Sequence, residues 1–512
     1  MDFNGLTRTI GLIGNPVEHT LSPVIHNNIS EKMGINSVYV PFRVENEGLL
    51  QAVRGAYELN ILGLNVTVPH KNAVMECLVD IDEAARNIGA VNTLVRDENN
   101  HGYKGYNTDY MGLERQIKED GLELTGKTVV ILGAGGAAKA VTYMCVKNGA
   151  AKIYILNRTV DKARQIALDI GRLSKANQKA ENNGQVSKAG QKAENNGQVS
   201  KAWQKTENIG HVSQAELSVI SCVSDSNSYC EIIPLSLSEY STINENELIA
   251  FQATSIGLFP KNDEVVIDDP DFYKKITVGV DLIYNPATTR FMKLVKENGG
   301  RAYNALEMLL YQGVTAYELW HDIKVPDEVI EEVYVELKRR VYRKDNIVLI
   351  GFMGSGKSTV GKALADKLSM DFIDTDEYIV NETGMSIAEI FEKKGEAEFR
   401  RIETKTLSKL RDSLNNTVLA TGGGVPLRRE NALLLKEIGK VFYLTAANRT
   451  IYDRVKDDTK RPLLKCDDPY AKICAMMKER GSLYEKACDK NIDTNSNDLE
   501  EVLEAITQEL ER

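Results

Sequence analysis

Residues 346–368 constrain the fold more than any other stretch. The apolar run NIVLI breaks at Gly351-Phe352-Met353-Gly354-Ser355-Gly356-Lys357-Ser358, and a helical pattern, TVGKALADKL, follows at once. A GxxxxGK[ST] loop between a strand and a helix needs the end of one and the start of the other to converge on one point, which a parallel sheet covered by helices supplies. An earlier loop makes the same demand: KTVVILGAGGAAKAV places Gly133, Ala134, Gly135, Gly136, Ala137 and Ala138 between an apolar run and a helical pattern, as GxGGxA. Apolar runs alternate with helical patterns around both loops, so the chain reads as α/β with parallel sheets. Its 512 residues predict roughly three compact units at about 150 residues each.

Both loops are phosphate cradles, and composition says that such binding is local. Lys and Arg number 63 against 73 Asp and Glu, a net charge of −10, which argues against non-specific affinity for nucleic acid or an anionic membrane. No apolar stretch approaches the roughly 18 residues of a membrane span, and the opening MDFNGLTRTIGLIGNP lacks the charged and apolar regions of a signal peptide, so a cytosolic protein is expected. The seven cysteines form no CxxC pair and are expected as reduced thiols, with neither a disulfide framework nor a zinc site.

Residues 174–212 hold three tandem copies of a 13-residue unit, SKANQKAENNGQV, SKAGQKAENNGQV and SKAWQKTENIGHV. Units this short and polar cannot stack as a solenoid, so they read as a solvated insertion; Trp203 and Ile209 alone would support a docking arm. A second boundary lies at residues 325–345, VPDEVIEEVYVELKRRVYRKD, which reads as a charged amphipathic helix joining two enzymes.

In the C-terminal segment, the loop backbone at Gly351, Gly354, Ser355, Gly356 and Thr359 would cradle the phosphates of a nucleotide. Lys357 would span the β and γ phosphates, and the Ser358 hydroxyl would ligate magnesium. FIDTDEYI sets Asp374 and Asp376 two residues apart at a strand end, so both can face one edge. One carboxylate can hold the Mg2+ water shell while the other accepts a hydroxyl proton. Arg400, the triplet Gly422-Gly423-Gly424, Arg461 and Arg480 follow, and guanidinium groups clamp carboxylates and phosphoryl groups.

Taken in order, GFMGSGKSTVG, DTDEYI, EAEFR, TGGGV, RPLL and ERxxLYEKA make residues 346–512 resemble shikimate kinase over essentially their full length. The resemblance implies that Asp374 sits near magnesium, that Asp376 binds and deprotonates shikimate, and that Arg400 and Arg480 grip its carboxylate. It also implies that Gly422, Gly423 and Gly424 line the ring, that Arg461 reaches the γ phosphate from a lid, and that Arg454 lies against adenine.

In the N-terminal segment the strand KIYIL ends in Asn157-Arg158-Thr159, with Lys162 following. An arginine where an NAD enzyme carries an acid favours a 2'-phosphate, hence NADPH; otherwise Arg158 is a solvated strand end. Upstream, NVTVPHK, GAVNT and GYNTDYMG cluster polar residues around Lys71 and Asp109. Ketone reduction by hydride needs a proton for the nascent alkoxide, which an ammonium paired with a carboxylate supplies. Asn65, Thr67, Asn92 and Thr108 suit a polyhydroxylated ring. His26, His70 and His101 read as structural or solvated.

The order GNPVEHTLSPVIHN, LGLNVTVPHK, IGAVNT, GYNTD, GAGGAA, NRT, ATSIGL, DLIYNPATT, NALEMLLYQG resembles shikimate dehydrogenase across residues 1–322, the repeats apart. The resemblance implies a substrate lobe at about 1–105 with C-terminal helices at about 286–322, and a Rossmann lobe at about 106–285. Residues 323–345 then join it to the P-loop domain at 346–512. Lys71 and Asp109 would be the catalytic pair, Thr20 and Ser22 would hold the substrate carboxylate, and Asn65, Thr67, Asn92 and Gln312 its hydroxyls. Tyr284 would border the substrate, and Gly133 to Ala138 with Asn157, Arg158 and Thr159 the cofactor. Two positions depart from the family: Thr20-Leu21-Ser22 stands where SxS is common, and Gln252 where Asn is usual beside the nicotinamide. The expected activities are reduction of 3-dehydroshikimate with NADPH and phosphorylation of shikimate with ATP and Mg2+, both on small molecules. The alternatives for the first half are a quinate dehydrogenase using NAD and a docking module that has kept the fold.

Overall fold

The computed structural model describes residues 4–18, 20–182, 220–223, 229–258, 261–342, 345–456, 468–496 and 498–511. The chain forms two compact units, Met1–Tyr334 and Val335–Arg512. The helix expected between 325 and 345 runs from Asp327 to Tyr342, so the boundary between units falls inside it. Of the repeats, only residues up to Asn182 are described, as the end of the helix Val160–Asn182; Trp203 and Ile209 lie outside the described residues. Among the described residues, no helix is long and apolar enough to cross a membrane.

The first unit contains two sheets. The first is made of β1 (Arg8–Gly14), β2 (Ser37–Arg43), β3 (Gly63–Val66), β4 (Asp80–Ile81), β5 (Thr93–Asp97) and β6 (Gly102–Tyr106), in the order β2-β1-β3-β5-β6-β4. It is not wholly parallel as expected, because β5 runs antiparallel to both β3 and β6. The cause is local. Asp97 accepts the backbone N–H groups of Asn99 and Asn100, and His101 takes a positive φ of 51°, which turns the chain directly back on itself.

The second sheet holds β7 (Thr128–Leu132), β8 (Lys152–Asn157), β9 (Ile220–Val223), β10 (Tyr229–Ser236), β11 (Leu248–Gln252), β12 (Ile276–Asp281) and β13 (Arg301–Asn304), in the order β13-β12-β11-β7-β8-β10-β9. All its pairings are parallel except β9 with β10. The chain runs outward from β7 through β8 and returns to β11 on the other side of β7, so a crevice opens beyond the ends of β7 and β11. The helices Thr108–Glu119 and Leu306–His321 bridge this sheet to the first. They approach so closely at Gly112 that a Cβ there would lie 2.6 Å from the Gln312 backbone nitrogen. That contact sets Asp109 and Gln312 on one cleft.

The second unit has one parallel sheet: β14 (Ile347–Ile350), β15 (Asp371–Asp374), β16 (Thr417–Ala420), β17 (Lys440–Thr445) and β18 (Lys490–Asp493), ordered β15-β16-β14-β17-β18. β14 and β16 are buried along their whole length, which their uninterrupted IVLI and TVLA runs allow. The carboxyl ends of β14, β15 and β16 lie side by side, so the glycine loop, Asp374 and the glycine triplet share one edge.

Candidate active sites

The cleft of the first unit encloses about 310 Å³, and Thr20, Ser22, Asn65, Thr67, Lys71, Asn92, Asp109, Tyr284 and Gln312 all line it. Residues from β3, two helix starts, one helix interior and four loops thus converge as expected. Asp109 sits in the first turn of the helix Thr108–Glu119, which Asn107 caps by accepting the Tyr110 N–H. Lys71 Nζ donates to Asp109 Oδ2 at 2.6 Å, with the two side chains 32% and 25% exposed. An ion pair in this half-open setting adds little stability but fixes the ammonium's position over the cleft.

Neutral groups make the rest of the wall. Asn92 Oδ1 accepts the Thr108 N–H at 2.7 Å and both the Thr93 and Thr108 hydroxyls, which turns its amide nitrogen away from them. Asn65 is fully engaged within the protein: Nδ2 donates to the Asn92 carbonyl and Thr93 Oγ1, while Oδ1 accepts Tyr39 Oη at 2.7 Å and His26 Nε2 at 3.2 Å. Burial lowers the His26 imidazole to about 3, so it is neutral. His70 Nε2 bonds the Val44 carbonyl, and His101 occupies the exposed turn. Burial raises the Tyr284 phenol.

At the second crevice Gly133 follows β7, and the helix Gly136–Lys147 begins with Gly135, Gly136 and Ala137 exposed and Ala138 buried. An open helix N-terminus is a ready anion site. Asn157 closes β8 by bonding the Thr159 carbonyl, and Arg158 and Thr159 are exposed. Gln252 does not point at an open cofactor position. Its Oε1 accepts the N–H and hydroxyl of Thr254 (2.6 and 2.7 Å), and its Nε2 donates to the Ile256 carbonyl and Asp281 Oδ1 (3.0 and 3.3 Å). The longer amide thus ties down the loop after β11, whose Ala253 and Thr254 pack on Gly133.

The cleft of the second unit encloses about 550 Å³ between the glycine loop, Asp374, Asp376, Gly422, Gly423, Arg454, Thr494, Ser496, Asp498, Leu499 and Val502. Lys357 Nζ donates to the carbonyls of Gly351 and Phe352, both at 2.9 Å. Ser358 Oγ donates to Asp374 Oδ2 at 2.7 Å, so two hard oxygens meet at the loop mouth, a donor set that fits magnesium. Asp376 is not on the strand with Asp374. Asp374 caps a helix, accepting the Asp376 N–H, and Asp376 stands in the first turn of Thr375–Thr383 against Gly422. Both carboxylates reach the cleft by helix geometry rather than by strand alternation.

Arg400 and Arg480 lie apart from the glycine loop. The helix Ile387–Ser413 kinks at Gly395 and then presents Arg400 so close to Gly424 that any Cβ there would collide with the guanidinium. Arg400 donates to Glu403 at 2.7 Å and to Glu396 at 3.2 Å. Glu403 is 2% exposed, and its burial, opposed by Arg400 and reinforced by Asp376, raises its carboxyl to about 7. Arg480 lies beside Tyr484, whose hydroxyl bonds the Gly423 carbonyl, and its Nε is buried without a partner. Arg454 donates to the carbonyls of Gly354 (3.5 Å) and Thr494 (2.5 Å). Arg461 lies outside the described residues.

Sequence reasoning missed Tyr39, Thr93, Asp281 and Glu403. Only Glu403 carried a local signal, as an i, i+3 partner of Arg400 on one helix face.

Comparison with known proteins covers both units. The family profile described as shikimate kinase matches residues 353–511. Profiles for the shikimate dehydrogenase substrate binding domain, shikimate/quinate 5-dehydrogenase and the shikimate 5'-dehydrogenase C-terminal domain match 12–94, 114–189 and 306–333. The shikimate dehydrogenase (NADP(+)) of Carboxydothermus hydrogenoformans is 35% identical over 332 residues, 65% of this chain and 98% of the relative. A shikimate dehydrogenase crystallised with NADP+ is 31% identical with a TM-score of 0.50, covering 67% of this chain and 98% of its own. The shikimate 5-dehydrogenase of Listeria monocytogenes in complex with shikimate and NAD is 27% identical with a TM-score of 0.51, covering 65% and 98%.

Proposed function

The chain belongs to the shikimate dehydrogenase family and carries a shikimate kinase domain behind it, and from that premise we propose that it performs two consecutive reactions. The first unit reduces 3-dehydroshikimate to shikimate with NADPH, and the second phosphorylates that shikimate with ATP to shikimate 3-phosphate. The observation that carries the reading is the Lys71–Asp109 pair at 2.6 Å, set in a cleft whose remaining polar lining is hydroxyls and amides; the second unit has its own cleft, built on a phosphate loop.

In the first cleft, Thr20 and Ser22 grip the ring carboxylate while Thr67, Asn92 and Gln312, backed by Asn65, meet the hydroxyls. NADPH supplies the hydride to the carbonyl carbon. The Lys71 ammonium, oriented by Asp109, gives its proton to the carbonyl oxygen as negative charge develops there. Exposed Arg158 favours a 2'-phosphate on the dinucleotide.

In the second cleft, the backbone around Gly354 and Gly356 receives the phosphates, and Lys357 exchanges its two carbonyl partners for phosphate oxygens. Ser358 and Asp374 would hold magnesium, which would supply neutralising charge to the phosphates. Asp376 takes the proton from the attacked hydroxyl, and Arg400 and Arg480 hold the carboxylate at the glycine triplet. Arg454 lies along the adenine. We place the chain in the cytoplasm, where these small-molecule substrates meet.

A one-vessel assay with 3-dehydroshikimate, NADPH, ATP and magnesium tests the proposal. NADPH loss matched by shikimate 3-phosphate in the mass spectrum is the expected result. Shikimate accumulating without its phosphate would refute the second step, and no NADPH loss the first.

A further inference from the structure

Tyr39 lies on β2, which contributes no residue to the first cleft, and it is 2% exposed. Its phenol nevertheless joins the two ends of that cleft. Tyr39 pairs with Ile10 across β1, and Asn65 pairs with Leu12 on the opposite side of the same strand, so both side chains rise from one face of the sheet. Asn65 Oδ1 carries no proton, so Tyr39 Oη donates to it, at 2.7 Å. The phenol also interacts with Ser22, which opposes the rise in pKa that burial imposes on it. Thr20 Oγ1 donates to Ser22 Oγ at 3.2 Å. Beyond Asn65 the line continues through Thr93 Oγ1 (3.1 Å) to Asn92 Oδ1 (3.1 Å). A run of hydrogen bonds therefore passes behind the cleft from Tyr39 through Asn65 and Thr93 to Asn92, and the interaction with Ser22 ties the phenol to the Thr20–Ser22 end.

The ring is held independently of its hydroxyl. His26 stacks on it at 4.3 Å with a 19° interplanar angle, and the Asn27 side-chain amide bonds both the N–H and the carbonyl of Tyr39. A phenol pinned this firmly sets the separation between its two partners.

We propose that Tyr39 is a positioning residue for substrate selectivity: it fixes the distance between the carboxylate-gripping hydroxyls of Thr20 and Ser22 and the hydroxyl-gripping wall of Asn65 and Asn92. This rests on the proposed dehydrogenase reading of the cleft. Shikimate fits that span, and a ring acid with its substituents spaced or puckered differently does not.

The test is Tyr39→Phe, which removes one oxygen and leaves the stack and the backbone bonds in place. Oxidation of shikimate and of quinate by NADP+ is measured in the full chain, alone and in a Ser22→Ala background. The expected result is a rise in KM for shikimate of roughly tenfold, the equivalent of one hydrogen bond. The KM for NADP+ and kcat stay within about twofold, the preference for shikimate over quinate narrows, and the effect on KM is less than half as large in the Ser22→Ala background. An unchanged KM and preference in an active Tyr39→Phe enzyme would overturn the proposal. So would a parallel loss in kcat, both KM values and melting temperature, which marks a general packing role. Wild-type chain that oxidises neither acid would instead remove the underlying reading of the cleft.

Discussion

The two clefts prepare for their substrates in opposite ways. In the second unit nearly every full charge already has a partner standing where a substrate group is proposed to go: Lys357 on two loop carbonyls, Ser358 on Asp374, and Arg400 on Glu403 and Glu396. In the first, one ion pair, Lys71–Asp109, sits before a wall of neutral amides and hydroxyls bonded to one another. Phosphate groups need full charges, and a full charge left unpaired in a cleft is costly, so the protein supplies temporary partners that a ligand displaces. A neutral ring needs directional dipoles, which hold their orientation only when locked in a network. On the proposed reading, one site exchanges partners on binding, and the other is set beforehand.

The sharpest way to break this comparison is to remove one lysine from each cleft. Lys71→Met should lower the NADPH-dependent rate on the order of 10²–10⁴-fold, the range for a lost general acid. Lys357→Met should lower shikimate phosphorylation on the order of 10²–10³-fold, as for a lost transition-state donor. Each variant should leave the other activity within about twofold, read by separate dehydrogenase and kinase assays on the same preparation. Lys71→Met that slows phosphorylation of added shikimate would show that the clefts are not independent.

The contrast also explains what could be read without coordinates. The glycine loop at 351–358 and its flanking strand and helix were legible because the recognising groups are backbone atoms of one contiguous segment. The first cleft was legible through resemblance, since its polar lining residues run from Thr20 to Gln312 with no spacing rule among them. Local geometry was harder. Asp374 and Asp376 suggested strand alternation, yet Asp374 accepts the Asp376 N–H and starts a helix between them. The turn at residues 98–101 reverses β5 into β6 within a sheet that was expected to be parallel. Tyr39 and Asp281 owe their partners to tertiary pairing, Tyr39 meeting Asn65 across 26 residues of sequence, and no periodicity marks them.

Glu403 sharpens the comparison on the charged side. If Arg400 must exchange Glu403 for the shikimate carboxylate, Glu403→Gln should lower the kinase KM for shikimate several-fold, within the 1–3 kcal/mol of an altered charged hydrogen bond, and leave the KM for ATP unchanged. The effect should depend on pH. Burial lifts the Glu403 carboxyl to about 7, so below that pH the wild type already carries a neutral partner and resembles the variant, and the difference opens above it. Steady-state kinetics at pH 6 and pH 8 check this, and an equal difference at both would place the titration elsewhere.

On the neutral side, Asp281 is the exception that tests the rule. It is fully buried beneath the cofactor crevice and bonded to Thr289 at 2.5 Å and to the Ile283 N–H, and burial pushes its carboxyl to about 7. A carboxyl raised from its unfolded value near 3.9 keeps its proton in the folded state across a window in which the unfolded chain has lost it. Folding then binds a proton, so stability should fall as pH rises from about 4 to 7 and level off above. Asp281→Asn removes the titration and keeps one acceptor oxygen for Thr289, so the melting temperature of the first unit should become flatter with pH. The two proteins should diverge most at pH 8, by a few kcal/mol at most, with the kinase transition unmoved. Calorimetry at half-unit steps from pH 5 to 8 measures both transitions. Parallel curves for wild type and variant would mean that Asp281 is ionised throughout, and that the first unit, like the second, tolerates a full buried charge beside its ligand.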